Sequence, residues 1–213
     1  MAAFVQVGMH TVNSTTITVG TGSTDTWATP TAGNAILVVT TATTTAGTLS
    51  LTTPSKPVGW NHTVGSDQST SAWLWVSDGS ETSLITTSTS TDNLASIAVE
   101  LSGLGPAPEF VMPSGGTAFC LETEAASTTT VGSGSFLVPY DEVTVFGALG
   151  TQALSGSISA SPTGYTAAIG LTTRRLQLVY KLDCTAGSSE PATGTWTWGT
   201  SGNAHSLVFG VAA

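Results

Sequence analysis

The sequence predicts an all-β fold: two tandem antiparallel β-sandwich domains of jelly-roll type, arising from an internal duplication. Three observations carry this. About thirty per cent of the 213 residues are Thr or Ser, while the helix formers Lys, Glu, Arg and Gln are scarce. Apolar residues alternate with polar ones at a period of two. Blocks of sequence also return in the same order about 105 to 112 positions later.

The alternation is clearest where Leu49 and Leu51 flank Ser50, where Ile97, Val99 and Leu101 alternate with Ala98 and Glu100, and where Trp196 and Trp198 alternate with Thr195 and Thr197. Each reads as a half-buried strand with one face to a core. Thr suits the outer positions because its β-branch favours extended backbone while its hydroxyl faces water. Ala35-Ile36-Leu37-Val38-Val39 is the longest apolar run, of buried-strand and not membrane length. Turn signals at Gly20-Thr21-Gly22, Ala32-Gly33-Asn34, Lys56-Pro57-Val58-Gly59 and Ser77-Asp78-Gly79 cut each copy into roughly seven to nine strands.

The repeat sets the domain organisation. Thr18-Val19-Gly20-Thr21-Gly22-Ser23 returns as Thr130-Val131-Gly132-Ser133-Gly134-Ser135. Ile36-Leu37-Val38-Val39 then matches Val143-Thr144-Val145-Phe146, Pro57-Val58-Gly59-Trp60 matches Pro162-Thr163-Gly164-Tyr165, and Trp75-Val76-Ser77-Asp78 matches Tyr180-Lys181-Leu182-Asp183. Glu81 pairs in this way with Glu190, and the strand from Ala95 with that from Ala204. Residues 1–101 are read as copy one, 117–213 as copy two, and 102–116, where Pro and Gly concentrate, as the linker.

Charge and composition exclude several functions. Four basic residues stand against thirteen acidic ones, so the chain cannot build the Lys/Arg footprint that a phosphate backbone requires, and nucleic acid is not an expected partner. Six Trp and a mean hydropathy of +0.25 argue against disorder. The start, Met1-Ala2-Ala3-Phe4-Val5-Gln6, lacks a basic region and an apolar run, so no targeting segment and no membrane association are expected. Asn13-Ser14-Thr15 and Asn61-His62-Thr63 spell glycosylation triplets, which a Thr-rich chain makes by chance.

Residues that could carry chemistry are few and dispersed. Cys120 and Cys184 match no metal-ligand spacing and read as two free, mostly buried thiols, with a single disulfide as the alternative. His10, His62 and His205 do not correspond between the copies, and none sits at ligand spacing from another His or Cys. No metal or cofactor is therefore expected. There is no Gly-x-Ser-x-Gly elbow, and Asp78-Gly79 lacks the alternating acid spacing of a calcium loop. Glu122 and Glu124 share a strand face, Asp141-Glu142 follow a Pro-Tyr turn, and Arg174-Arg175 hold half the positive charge. The aromatics offer the one binding hypothesis. Trp60/Tyr165 and Trp75/Tyr180 could stack on sugars but read better as core; of the pairs Trp73/Trp75 and Trp196/Trp198, one is expected in a core and the other is open between core and an exposed ridge. Trp196 and Trp198 are the candidates for interface or glycan contact.

Gly33-Asn34-Ala35-Ile36-Leu37-Val38-Val39, Thr53-Pro54-Ser55-Lys56-Pro57-Val58-Gly59-Trp60 and Trp73-Leu74-Trp75-Val76-Ser77-Asp78-Gly79-Ser80-Glu81 together resemble the Thr/Ser/Gly-rich β-sandwich virion proteins of tailed bacteriophages labelled minor tail proteins or head decoration proteins. The resemblance covers nearly all of copy one and, more weakly, copy two, where Tyr165 replaces the Trp and an insertion precedes Glu190. It implies a structural, non-enzymatic component of the virion, assembling as a symmetric oligomer with copies of itself and other virion proteins. The competing expectations are a carbohydrate-binding module contacting a host surface glycan, and a glycan hydrolase, which would need two carboxylates facing across a groove.

Overall fold

The computed structural model describes residues 2–20, 27–42, 48–52, 58–64, 68–116, 120–151, 158–160, 162–168, 176–191 and 194–213. Among them there is no helix, and the chain is all-β, in curled antiparallel sheets that approach closed barrels. It forms two compact units, residues 3–109 with Ala213 and residues 110–212 with the first two residues.

The first unit contains β1 (Ala3–Gly20), β2 (Ala35–Ala42), β3 (Leu49–Thr52), β4 (Val58–Val64), β5 (Gln68–Val76) and β6 (Ser83–Ser102). The sheet runs β1-β6-β2-β5-β4, with β3 added to β6. Its curl comes from the two longest strands. β1 pairs with β6 from Ala3↔Ser102 to Ser14↔Asp92 and again from Thr16↔Thr87 to Gly20↔Ser83, with an irregularity between. That break lets both strands turn a corner together, as bulges do. The C-terminal part of β6 lies beside β2, the N-terminal part beside β3, and the two parts face each other. Thr40 on β2 accordingly shares hydrogen bonds with Ser96 in one part of β6 and Thr86 in the other. Inside are Ile17, Val19, Trp27, Ile36, Val38, Leu49, Trp73, Trp75, Leu84 and Leu94, drawn from both parts of the bend.

The second unit contains β7 (Glu109–Val111), β8 (Cys120–Gly132), β9 (Phe136–Leu137), β10 (Val143–Thr151), β11 (Ile158–Ala160), β12 (Thr166–Ala167), β13 (Leu176–Cys184), β14 (Ser189–Glu190) and β15 (Thr195–Ala212). β8, β15, β10, β13 and β12 are successive neighbours, β11 and β7 also pair with β15, and β9 with β14 make a two-stranded ribbon. Neighbour for neighbour, β8-β15-β10-β13-β12 repeats β1-β6-β2-β5-β4, and β11 sits on β15 as β3 sits on β6.

Residues 102–116 are not connector throughout. Glu109–Val111 form β7 against β15, and Phe110 and Val111 are buried. Val58 and Gly59, read as part of a turn, already belong to β4. Side-chain equivalence also breaks down at one matched pair. Trp75 lies opposite Ile36 and packs in the first core, whereas Tyr180 lies opposite Phe146 and packs on that ring, on the face of β10 away from Val143 and Val145. The extra residue that β13 carries between Lys181 and Cys184 puts Cys184, not Asp183, in the core position opposite Val143, while Tyr180 stays opposite Phe146.

Candidate functional site

Trp196 and Trp198 do not form an exposed ridge. Both stand on the inward face of β15, 0% and 1% accessible, packed with Val131, Leu149, Val179 and Ala204. Their period-two spacing puts them on one face, and the curl of β15 turns that face inward. The curl is visible within the strand: Trp196 Nε1 donates to Ser206 Oγ at 3.0 Å, although residues ten apart in a straight strand lie about 33 Å apart. Trp198 Nε1 has no hydrogen-bond partner among the described residues. The pair is a core pair and gives neither a glycan platform nor an interface. Trp73 and Trp75 are also buried in the first unit, so both pairs lie in a core where only one was expected to. Tyr165 packs at the edge of the second core. The side chain of Trp60 lies outside the described residues.

Two carboxylates organise one end of the first unit. Glu81, in the turn between β5 and β6, is buried and accepts from Trp75 Nε1 at 2.9 Å, Ser77 Oγ at 2.6 Å and the Asp78 amide, while its own carbonyl accepts from Trp27 Nε1. Glu100, near the end of β6, is equally buried and accepts from Thr31 N–H at 2.8 Å, Asn34 Nδ2 at 2.6 Å and Gln6 Nε2. Gln6 in turn holds both backbone groups of Ala28. Desolvation raises each carboxyl, but the hydrogen bonds from Ser77 and Trp75, and from Asn34 and Thr31, outweigh it and hold both below the usual carboxylate range. Both are ionised acceptors saturated by the chain's own donors. A general acid for glycoside cleavage needs the opposite, a raised pKa and an open groove.

Glu190, matched to Glu81 in the sequence repeat, lies on β14 in the second unit and has different partners. Its carboxylate receives Lys181 Nζ at 2.6 Å and the Tyr165 hydroxyl at 3.4 Å. The ion pair raises the Lys181 pKa. Burial, reinforced by the Glu190 charge, raises that of the Tyr165 hydroxyl. Cys184 is a buried free thiol in the same neighbourhood, pushed up to about 11 by burial and then by the charge on Glu190. Such a thiol is almost wholly protonated near neutrality and is a poor nucleophile.

The remaining candidates separate in space. His10 Nδ1 lies 2.7 Å from the Thr18 carbonyl oxygen and so carries the proton there, bridging the bend of β1. His205 is buried on β15 opposite Gly150. Asp141 accepts from the Ala186 amide. Asp78 caps its own turn through the Ser80 amide and hydroxyl. Among the described residues, no group of three or more His, Cys, Asp or Glu could hold a metal ion. Arg174, Arg175 and the side chains of Cys120, His62, Glu122 and Glu124 lie outside the described residues. Sequence reasoning missed Gln6 and Asn34 as partners of Glu100. They are far from it along the chain, and no motif links them. No family model matches the chain, and neither does any curated protein or solved structure.

Proposed function

We propose that this chain is a non-enzymatic structural subunit of a tailed-bacteriophage virion, a minor tail or head decoration protein that assembles as a symmetric oligomer, and that its two units descend from one duplicated β domain. The observation that supports this best is the use made of the polar groups. Glu81, Glu100 and Glu190 are buried and occupied in fixing loops, Cys184 is protonated by burial, and His10 bridges a strand bend. What the chain presents instead is long strands with Thr-rich faces, suited to packing against neighbours through many weak hydrogen bonds. The matching neighbour order of the two units supports the duplication. The glycan reading's named contact pair, Trp196 and Trp198, is enclosed, as is Trp75.

The test is to raise antibodies against the purified chain and apply them, gold-labelled, to phage particles purified from cultures carrying its gene. Label at one fixed place on head or tail is expected. Intact particles that carry neither label nor the chain's peptides by mass spectrometry would overturn the proposal.

A further inference from the structure

We infer that residues 28–32 form a strap across one end of the first unit, which Glu100 holds while ionised and releases on protonation, a device independent of the assembly reading above. The strap crosses the strands in the order in which they lie in the sheet. Ala28 is bracketed by Gln6 of β1, whose Nε2 donates to its carbonyl and whose Oε1 accepts from its amide, and Thr31 N–H donates to Glu100 of β6. Asn34 then leads into β2. Both ends are fixed by groups that do not titrate. Trp27 is buried, so close to Gly8 that a Cβ there would lie 2.7 Å from its own, and its Nε1 donates to the Glu81 carbonyl oxygen. At the other end the Gly33 amide donates to the Ser77 carbonyl, and the Asn34 carbonyl accepts from the Ser77 amide. Between these anchors every residue but Pro30 is exposed, and the hydrogen bonds from 28–32 to the described strands run to Gln6 and Glu100 alone.

Glu100 is the hub of those bonds. Its Oε1 takes Thr31 N–H at 2.8 Å and Asn34 Nδ2 at 2.6 Å, its Oε2 takes Gln6 Nε2, and Gln6 is the residue that brackets Ala28. All three neighbours donate. An ionised carboxylate, acceptor only, satisfies them, whereas the neutral acid sets an O–H against one of these N–H groups with no acceptor for it in a buried site. A proton on Oε2 drives Gln6 aside and opens the bracket on Ala28; a proton on Oε1 frees Thr31 directly. Few other ionisable groups are near. Residues 27–34, β2 and β5 contain none, β1 has only His10, four residues beyond Gln6, and β6 itself has only Asp92, far along the strand. The turn before β6 brings exposed Asp78 and Glu81, whose carboxylate is taken up by Trp75 and Ser77. Burial raises the Glu100 pKa, and the hydrogen bonds from Asn34 and Thr31 bring it below the ordinary 4.5, so the strap is held above that pH and let go as pH falls through the lower value.

The experiment measures amide exchange by NMR on the full-length chain from pH 7 to pH 3, expressed as protection relative to unstructured chain. The Ala28 and Thr31 amides are expected to lose protection on the order of tenfold or more below about pH 4.5, while Val38 and Ala98, paired between β2 and β6, keep theirs. Glu100→Gln should show the low protection already at pH 7 and no further fall. Gln6→Ala, which leaves the carboxylate in place, should lose protection at Ala28 at pH 7 and keep the acid-dependent fall at Thr31. Undiminished protection of Ala28 and Thr31 at pH 3, simultaneous loss at Val38 and Ala98, or a Glu100→Gln profile that still follows pH would each overturn the inference.

Discussion

Trp196→Ala distinguishes an aromatic in the core from one on a surface, and its cost follows from the surroundings of the indole. Trp196 is fully buried among Val131, Leu149, Val179 and Ala204, and its Nε1 satisfies the hydroxyl of Ser206, itself buried. Truncation removes the transferred surface, leaves a cavity and orphans that hydroxyl, for a loss of about 3–5 kcal/mol. Against a total of about 5–15 kcal/mol this brings the second unit close to unfolding at 37 °C. Phenylalanine replacements sharpen the test. Trp196→Phe forfeits the Ser206 bond, whereas Trp198→Phe removes an N–H that has no partner among the described residues, so its loss of volume is offset by relief of a buried unsatisfied donor. Trp196→Phe should cost about 1–3 kcal/mol more than Trp198→Phe. Urea unfolding followed by far-UV circular dichroism measures all three without relying on indole fluorescence. A Trp196→Ala change within about 0.5 kcal/mol of wild type would refute the burial argument, and equal costs for the two Phe variants would refute the hydrogen-bond assignment.

Acid should weaken the first unit. Glu81 and Glu100 have folded pKa values below their unfolded ones, so their contribution is complete above the unfolded value of about 4.5 and is lost as pH falls through the folded values; melting temperatures from pH 7 to pH 3 should fall less steeply in Glu100→Gln, which at pH 7 starts about 2 kcal/mol less stable. The Cys184 thiol should resist a thiol reagent at pH 8 in the native protein and react once denaturant is added, and rapid native modification of Cys184, located by peptide mapping, would contradict its burial. Gly20→Ala should destabilise the first unit by about 2 kcal/mol or more, because its φ of +153° accompanies a Cβ position 2.5 Å from the Thr82 carbonyl oxygen and 2.7 Å from Ser83 Cα; a melting temperature unchanged from wild type would show that the backbone there relaxes freely.

The all-β class was legible because it rests on local quantities: the period-two alternation around Leu49, Ile97 and Trp196, and the shortage of helix formers. What the sequence left open is curvature. Alternation says that Trp196 and Trp198 share a face, but which way that face looks depends on a bend in β15, and the bend depends on pairings with β8 that are irregular between Thr197 and Gly202. The match of Trp75 to Tyr180 failed for a related reason. One extra residue at the Val143/Val145 bulge exchanges inside for outside along a strand, and a constant sequence offset cannot register that. Glu81 was visible as a repeated acid, but its role was not, since Trp75 and Ser77 become its donors only when the turn closes. Gln6, Thr31 and Asn34 meet Glu100 across long stretches of chain, beyond any local pattern.

The pairing of Ala3 with Ser102 puts the beginning and end of the first unit on adjacent antiparallel strands. A pull applied through those two points would open the β1–β6 ladder one rung at a time, as a zipper opens, because the hydrogen bonds of an antiparallel pair lie across the strands and meet such a load in sequence. Each rung meets the load alone, and register shifts interrupt the ladder after two paired positions, between Phe4 and Gln6, and again between Ser14 and Thr16. The unit is therefore a poor tether end to end. It resists force best when gripped along its flanks, where a load is shared by many hydrogen bonds at once.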